Sequence, residues 1–301
     1  RVALMERLVR GEGLDKLLGQ LARDHQAQYP DSLCSVLLLD AQGRHIAGGV
    51  APDLDPNYMA ALGGLEIGPT AGSCGAAMAT AQRVICEDIA THPNWAPYRA
   101  LAAAAGLAAC WSEPIIGARG RVLGSFAVYR RQPARPTDEE LEHLGFAAQL
   151  AATAISQMAM STQLHQAERL VRHMLRAIPD LVWLKNPAGR FLACNAAFEQ
   201  ALGQPEARII GHTDAELVAD GLFDAEAAVR LQASADRVVA RRQREVIEVG
   251  LPVAKDGGHG LFEVIQTPLL DEGGEVGSVL AVGRDITGRV RTERELATYR
   301  Q

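Results

Sequence analysis

No apolar run in this 301-residue chain approaches the ~20 residues that span a bilayer, and the opening RVALMERLVRGEG has none of the apolar core of a signal peptide. No membrane partner is expected for these residues. A basic excess is missing too: 30 Lys and Arg against 36 Asp and Glu give a formal charge of −6. That balance argues against a general binder of phosphate backbones, so no nucleic-acid partner is expected. Cysteines number five, an odd count at irregular spacing without a CxxC pair. That pattern fits reduced thiols in a cytoplasm better than a disulfide framework, and free thiols are the expectation.

The remaining composition, 48% hydrophobic and 22% charged, is that of an ordinary globular protein. The length exceeds what one core usually holds, which points to two domains. The stretches LCSVLLLDAQGRHIAGG and WSEPIIGARGRVLGSFAVYRR each read as two strands around a glycine-containing turn. Between them LDPNYMAALG, SCGAAMATAQ and the alanine-rich NWAPYRALAAAAG read as helices. The second half repeats the pattern. LVWLKNPAGRFLACN is a strand-turn-strand, AAFEQALG a short helix, and the region from Ile247 to Ile286 three strands with Gly-rich turns. Pro252, unable to donate to an interior ladder, marks an edge or a strand start. The expected class is α+β, two domains each with a central antiparallel sheet flanked by helices, joined by a long helix.

That helix starts at a capping box, Thr137 with Glu140 three residues later. Two apolar series follow at alternating spacings of four and three: Leu144, Ala148, Ala151, Ile155 and Met158, then Met160, Leu164, Ala167, Val171, Met174 and Ile178. They are out of phase, so one seam is expected on its own domain and the other against a second chain in a parallel homodimer. A single long helix lying on one core is the alternative. Boundaries are expected at 1–158 for the first domain with its N-terminal helix, 159–178 for the helical linker, 179–287 for the second domain and 288–301 for an exit helix. The leading Arg1 and the unterminated last helix suggest a piece of a longer chain.

The ordered set Gly72-Ser73-Cys74-Gly75, Asp88-Ile89-Ala90, Trp95, Trp111-Ser112, Pro114-Ile115 and the Gly124 to Tyr129 strand resembles GAF domains of bacterial signal-transduction proteins over about residues 12–158. IPDLVWLKNPAGRFLACNAAFEQALG, IIGHTD and the closing Asp285-Ile286-Thr287 resemble a PAS domain over about residues 168–287. The resemblance implies a non-enzymatic sensory region. It would receive a small-molecule or redox signal and pass it through helices to an output domain in cis, a histidine kinase or an enzyme of cyclic-di-GMP metabolism. No GGDEF or EAL signature and no ATP-binding Gly boxes are present.

By that resemblance Trp95, Tyr98, Trp111 and Phe126 line a GAF cavity, with Ser73, Cys74, Asp88, Cys110 and Ser112 as its polar groups; plain core packing of the aromatics is the alternative. Cys74 sits near a helix start, where the dipole favours a thiolate. GAF-type reductases of free methionine sulfoxide use cysteines in a similar Cys-Gly setting, so a reductase using Cys74, Cys86 and Cys110 is the rival function, and a ligand-free dimerisation spacer a third. Cys86, Asp88 and His92 carry metal-ligating groups but lack a fourth ligand at workable spacing, and no metal site is assigned. In the second domain Trp183, Phe198, Phe223 and Phe262 border a cavity or fill a core, and Asn195 also reads as a helix N-cap. No cofactor is identified: bilin lacks a Cys-His dipeptide, haem lacks a histidine between Thr213 and Arg244, and covalent flavin lacks its Asn-Cys-Arg-Phe signature. His173 reads as a linker surface residue. The resemblance makes Asp285 and Thr287 the relay: Thr287 to cap the exit helix, Asp285 to pair with Arg284, Arg176 or Lys185.

Overall fold

The computed structural model describes residues 12–253 and 258–299, and the Gly-rich turn expected around Asp256 and Gly257 lies outside them. The chain divides into two compact units, residues 1–165 and 166–301. Among the described residues no helix is long and apolar enough to cross a membrane.

In the first unit α1 (Leu14–Gln28) precedes β1 (Leu33–Leu39), β2 (Ile46–Val50), α2 (Pro56–Leu62), α3 (Gly72–Thr80) and β3 (Val84–Cys86). A 3₁₀-helix at Pro93–Tyr98 leads into α4 (Arg99–Ala104), followed by β4 (Ala109–Ile116), β5 (Val122–Arg130) and α5 (Asp138–Ala177). The helix expected from Asn94 becomes an α-helix only at Arg99, because Pro93 and Pro97 have no amide hydrogen to donate and the chain winds more tightly there. The five strands form one antiparallel sheet, ordered β2-β1-β5-β4-β3. Period-two alternation sorts their side chains into two cores. Cys34, Val36, Trp111, Phe126 and Val128 face α1 and the first half of α5. Leu37, Cys86, Cys110, Ala127 and Tyr129 face α2, α3 and the 3₁₀-helix. Gly124 permits the close pairing of β5 with β1: a Cβ there would sit 2.0 Å from the Leu37 carbonyl oxygen.

The first seam of the long helix packs on its own unit and the second is exposed. Thr137 and Glu140 form the expected capping box, Glu140 N donating to Thr137 Oγ1 at 3.2 Å and Thr137 N to Glu140 Oε2 at 2.8 Å. Glu140 also pairs with Arg130, which fixes the helix start to β5. Leu144, Ala148 and Ala151 are buried against the sheet, and neighbouring alanines let the helix lie close. Met160, Leu164, Ala167, Val171, Met174 and Ile178 are all exposed.

The second unit runs β6 (Leu181–Lys185), β7 (Phe191–Cys194), α6 (Ala196–Leu202), α7 (Glu206–Ile209), α8 (Asp214–Ala219) and α9 (Ala225–Arg241), then β8 (Glu245–Val253), β9 (Gly258–Leu270), β10 (Val276–Asp285) and α10 (Thr287–Tyr299). Its antiparallel sheet, β7-β6-β10-β9-β8, repeats the strand order of the first, with Pro252 on the outer strand. Lys185 and Asp214 form a buried ion pair, 2% and 3% exposed, and the ammonium lies 4.5 Å from the centre of the Phe191 ring. Desolvation pushes the lysine pKa down and the aspartate pKa up, and the opposite charge of each opposes that shift in the other.

Removing one member of this pair strands a charge in the core. Lys185→Met is expected to destabilise the second unit by about 3–5 kcal/mol, whereas Lys185→Met with Asp214→Leu recovers most of that, as read by urea unfolding. In the first unit His25 on α1 is buried beside Phe126, and desolvation, with the nearby charges of His143 and Arg130, holds its pKa down at about 4 against an ordinary 6.5. The unfolded chain therefore takes up a proton that the folded one refuses. Stability is expected to fall as the pH drops from about 6.5 to about 4, and His25→Gln to flatten that slope in thermal melts across this window.

Candidate functional site

The first candidate site lies where α3 crosses β4 and β5. Gly72 opens the helix with φ +62°, a conformation glycine adopts freely, and it lies against the rings of Trp95 and Tyr98. Ser73 and Cys74 follow and point at the sheet. Trp95 Nε1 donates to Ser73 Oγ at 3.0 Å, and Ser73 Oγ donates to the Cys110 carbonyl at 3.2 Å. This chain of two bonds fastens the 3₁₀-helix, α3 and β4 together.

Cys74 Sγ is the centre of a buried polar cluster. Ser112 Oγ donates to it at 3.2 Å, the Tyr129 hydroxyl meets it at 3.3 Å, and the same Ser112 Oγ lies 3.8 Å from the Cys110 thiol. Tyr129 in turn meets Ser35 Oγ at 3.2 Å and stacks edge-on with Tyr58, ring centres 6.0 Å apart. The adjacent Cys110 thiol and the hydroxyls of Ser112 and Tyr129 favour the thiolate over the cost of burial and bring the Cys74 pKa down to about 7. Burial and the adjacent Cys74 push Cys110 the other way, so it keeps its proton. Burial raises Cys34 to about 12, Cys86 to about 11 and Cys194 to about 12. All five thiols are free. A cavity of about 30 Å³ opens onto this cluster, lined by Tyr58, Ser73, Cys74, Trp95 and Tyr98 among others. It holds a molecule about as large as one water.

Five residues expected to line this cavity do not: Cys110 and Ser112 belong to the polar cluster around Cys74, and Trp111, Phe126 and Asp88 lie elsewhere. Trp111 and Phe126 face the opposite core, because each neighbours in sequence a residue that points to the cavity side: Cys110 and Ser112 for one, Ser125 and Ala127 for the other. Asp88 closes its own turn, accepting from Ala90 N at 3.0 Å and Thr91 Oγ1 at 3.0 Å, and borders a separate polar groove with His92 and Arg135. His92 caps the 3₁₀-helix through Nδ1, which accepts from Asn94 N at 3.2 Å. Cys86 sits opposite Cys110 in the β3–β4 register. Sequence reasoning missed Tyr58, Tyr129, Ser35 and Ser125. The alternation in GSFAVYR carried the signal for Tyr129, since a strand that points Ser125 inward also points Tyr129 inward.

In the second unit Trp183, Phe198, Phe223 and Phe262 pack together with Phe191, which sequence reading overlooked. Trp183 and Phe198 rings lie 4.8 Å apart and Phe191 is 5.7 Å from Phe198, so these side chains fill a core. Asn195 is not a cavity wall. Its Oδ1 caps α6, accepting from Phe198 N at 3.0 Å, and also accepts from Val182 N at 3.0 Å. Its amide donates to the carbonyls of Ile178 at 3.1 Å and Asp180 at 2.8 Å, the residues that leave α5.

The exit of this unit departs from expectation. Asp285 pairs with no arginine or lysine among the described residues; its Oδ1 accepts from Thr287 N at 2.8 Å and so closes the start of α10. Arg284 instead bonds Asp180 at 3.1 Å, and Lys185 is taken by Asp214. Thr287 does not cap the helix: its hydroxyl accepts from Leu261 N at 2.8 Å and ties α10 to β9. Short backbone bonds near a helix start compete for the same side chains, and here the aspartate two residues upstream has the better geometry. Asp180 and Arg284 flank the paired Leu181 and Gly283, so the segments entering and leaving the unit meet at one end of the β6–β10 pair.

Comparison with known proteins accounts for both units. The family model described as GAF domain matches residues 13–156, and the one described as PAS fold matches residues 175–291. The methyl sulfide methyltransferase-associated sensor of Methanosarcina acetivorans is 30% identical over 291 residues, covering 96% of this chain and 28% of that protein. The aerobic respiration control sensor protein ArcB of Escherichia coli is 30% identical over 131 residues, 44% of this chain and 16% of ArcB. The methanogenesis regulatory histidine kinase FilI of Methanothrix harundinacea is 26% identical over 125 residues, 42% of this chain and 13% of FilI. The chain thus spans less than a third of the length of these relatives. With each family model falling on one of the two repeated sheets, the chain is a GAF domain followed in tandem by a PAS domain.

Proposed function

We propose that this tandem is the sensory part of a larger signalling protein, acting as a homodimer through α5 and driving an output domain attached beyond α10. The observation that carries the reading is the division of labour along α5. Its first seam is buried in the GAF core, while the second, from Met160 to Ile178, is apolar, regularly spaced and exposed. A stripe of that spacing suits the same stripe on a second copy. Sensor proteins that match the chain, one of them a histidine kinase, support an output of kinase type.

The GAF site around Cys74 is where the signal enters. Trp95, Tyr98, Ser73 and Ser112 would respond to an occupant or to a change at the thiol, and α5 lies on the other face of the same sheet. At about 30 Å³ the cavity is far below the roughly 300–1,000 Å³ of drug-sized ligand sites, leaving no room for an amino-acid sulfoxide and disfavouring reductase chemistry. The PAS unit, with its aromatics packed, acts as a coupler: Asn195 holds the end of α5, Arg284 links Asp180 to β10, and Thr287 fixes α10. Coupling of about 1–3 kcal/mol changes an output several-fold or more, which bonds of this size supply.

Sedimentation of the fragment is expected to give a dimer that becomes a monomer on Leu164→Asp with Val171→Asp, with unchanged circular dichroism in the sheet region. A wild-type monomer at all concentrations would reject the α5 interface. Asp285→Ala in the full-length protein is expected to abolish the response of the output to signal while shifting the thermal transition by no more than the ~1 kcal/mol of a lost helix-start bond. Retained regulation would remove Asp285 from the relay.

A further inference from the structure

Resting on the sensory reading of the GAF site, we propose that Cys74 and Cys110 form a redox pair that is oxidised to a disulfide by hydrogen peroxide admitted to the small cavity. Cys74 lines that cavity and Cys110 does not. The cavity, about 30 Å³, suits an oxidant of a few atoms and excludes bulky ones.

The two sulfurs have different surroundings. Cys74 lies in the first turn of α3, whose N-cap Ala71 supplies no side-chain partner to the free amides, and it receives the Ser112 hydroxyl at 3.2 Å. Tyr129 adds a second hydroxyl at 3.3 Å, and a pKa of about 7 leaves much of Cys74 as thiolate near neutral pH. Cys110 is fully buried, stays protonated and meets Ser112 Oγ at 3.8 Å. One sulfur is therefore nucleophilic and reachable, and the other is a protonated neighbour that meets the same Ser112 hydroxyl.

The chemistry balances in two steps. Cys74 thiolate attacks one peroxide oxygen; the S–O bond forms, the O–O bond breaks, and the departing hydroxide takes a proton to become water. Sulfur is oxidised by two electrons to the sulfenic acid and the peroxide is reduced. Cys110 sulfur then attacks Cys74 sulfur, the S–S bond forms, and the hydroxyl leaves with the Cys110 proton as a second water. Closing this bond draws α3 onto β4 and disturbs the Trp95–Ser73–Cys110 chain that fastens the 3₁₀-helix.

The test is peptide mapping without reductant of the whole chain after exposure to hydrogen peroxide at neutral pH and alkylation. A crosslink between the Cys74 and Cys110 peptides is expected, forming roughly tenfold or more faster than any modification of Cys34, Cys86 or Cys194. Cys110→Ser, and Cys110→Ala as a second variant, are expected to leave Cys74 as a sulfenic acid that dimedone traps. Recovery of Cys74 as a free thiol, or a bridge from Cys110 to its register partner Cys86, would overturn the pair. Sedimentation and output activity, measured on the same samples, separate the two ideas. A crosslink with no change in either measurement leaves the pair standing and defeats the sensory reading. A response to peroxide that persists in Cys74→Ser defeats the pair alone.

Discussion

Both faces of the GAF sheet are covered by helices, so every strand residue must either pack or find a hydrogen-bond partner, and the pleat decides which side each one serves. On one side the sheet is almost wholly apolar, and α1 and α5 lie flat on Leu, Val, Phe and Trp side chains. On the other, hydroxyls and thiols from β1, β4 and β5 converge beneath α3. Ser35, Ser112, Tyr129 and Cys74 satisfy one another there, and the low dielectric around them strengthens each bond, while Ser125 Oγ is left without a partner. The thiolate character of Cys74 follows from that arrangement rather than from any charged neighbour.

The same sheet gives α5 its two roles. Its first turns are committed, through the alanine-lined contact and the Glu140–Arg130 pair, to the face opposite Cys74. The sheet is one layer thick there, so a shift of α3 against β4 reaches α5 through a single set of packed side chains. The later turns of α5 carry apolar residues that no contact within either unit covers, and a helix with an exposed regular stripe gains most from a like partner.

The PAS unit places its polar side chains at joints instead of in a pocket. One carboxamide, Asn195, satisfies the carbonyls that end α5, an amide of β6 and the first amide turn of α6. Asp180 with Arg284, and Thr287 with Leu261, hold the outgoing segment at the same sheet end and on β9. Such bonds are each modest, which suits the coupling role proposed for this unit, while the buried Lys185–Asp214 pair and the aromatic core hold the body of the domain together.

Local periodicity made much of this legible before any coordinates. Alternation and turn glycines located every strand but the three-residue β3, Thr137 and Glu140 located the start of α5, Asn195 announced α6, and the out-of-phase seams distinguished the packed from the exposed part of the long helix. The residues carrying the GAF and PAS resemblance pointed to sensory domains. What the sequence left open were pairings between distant positions. Ser35 and Ser112 each meet a partner far along the chain, Lys185 finds Asp214, and Thr287 bonds a strand residue 26 positions earlier. Phe126 and Trp111 looked as suitable for the cavity as Tyr129 until strand order fixed which face met which helix. A period of two or 3.6 is written in neighbouring residues, so the chain alone determined its elements; facing and partnership depend on how strands assemble, and only the tertiary structure decided them.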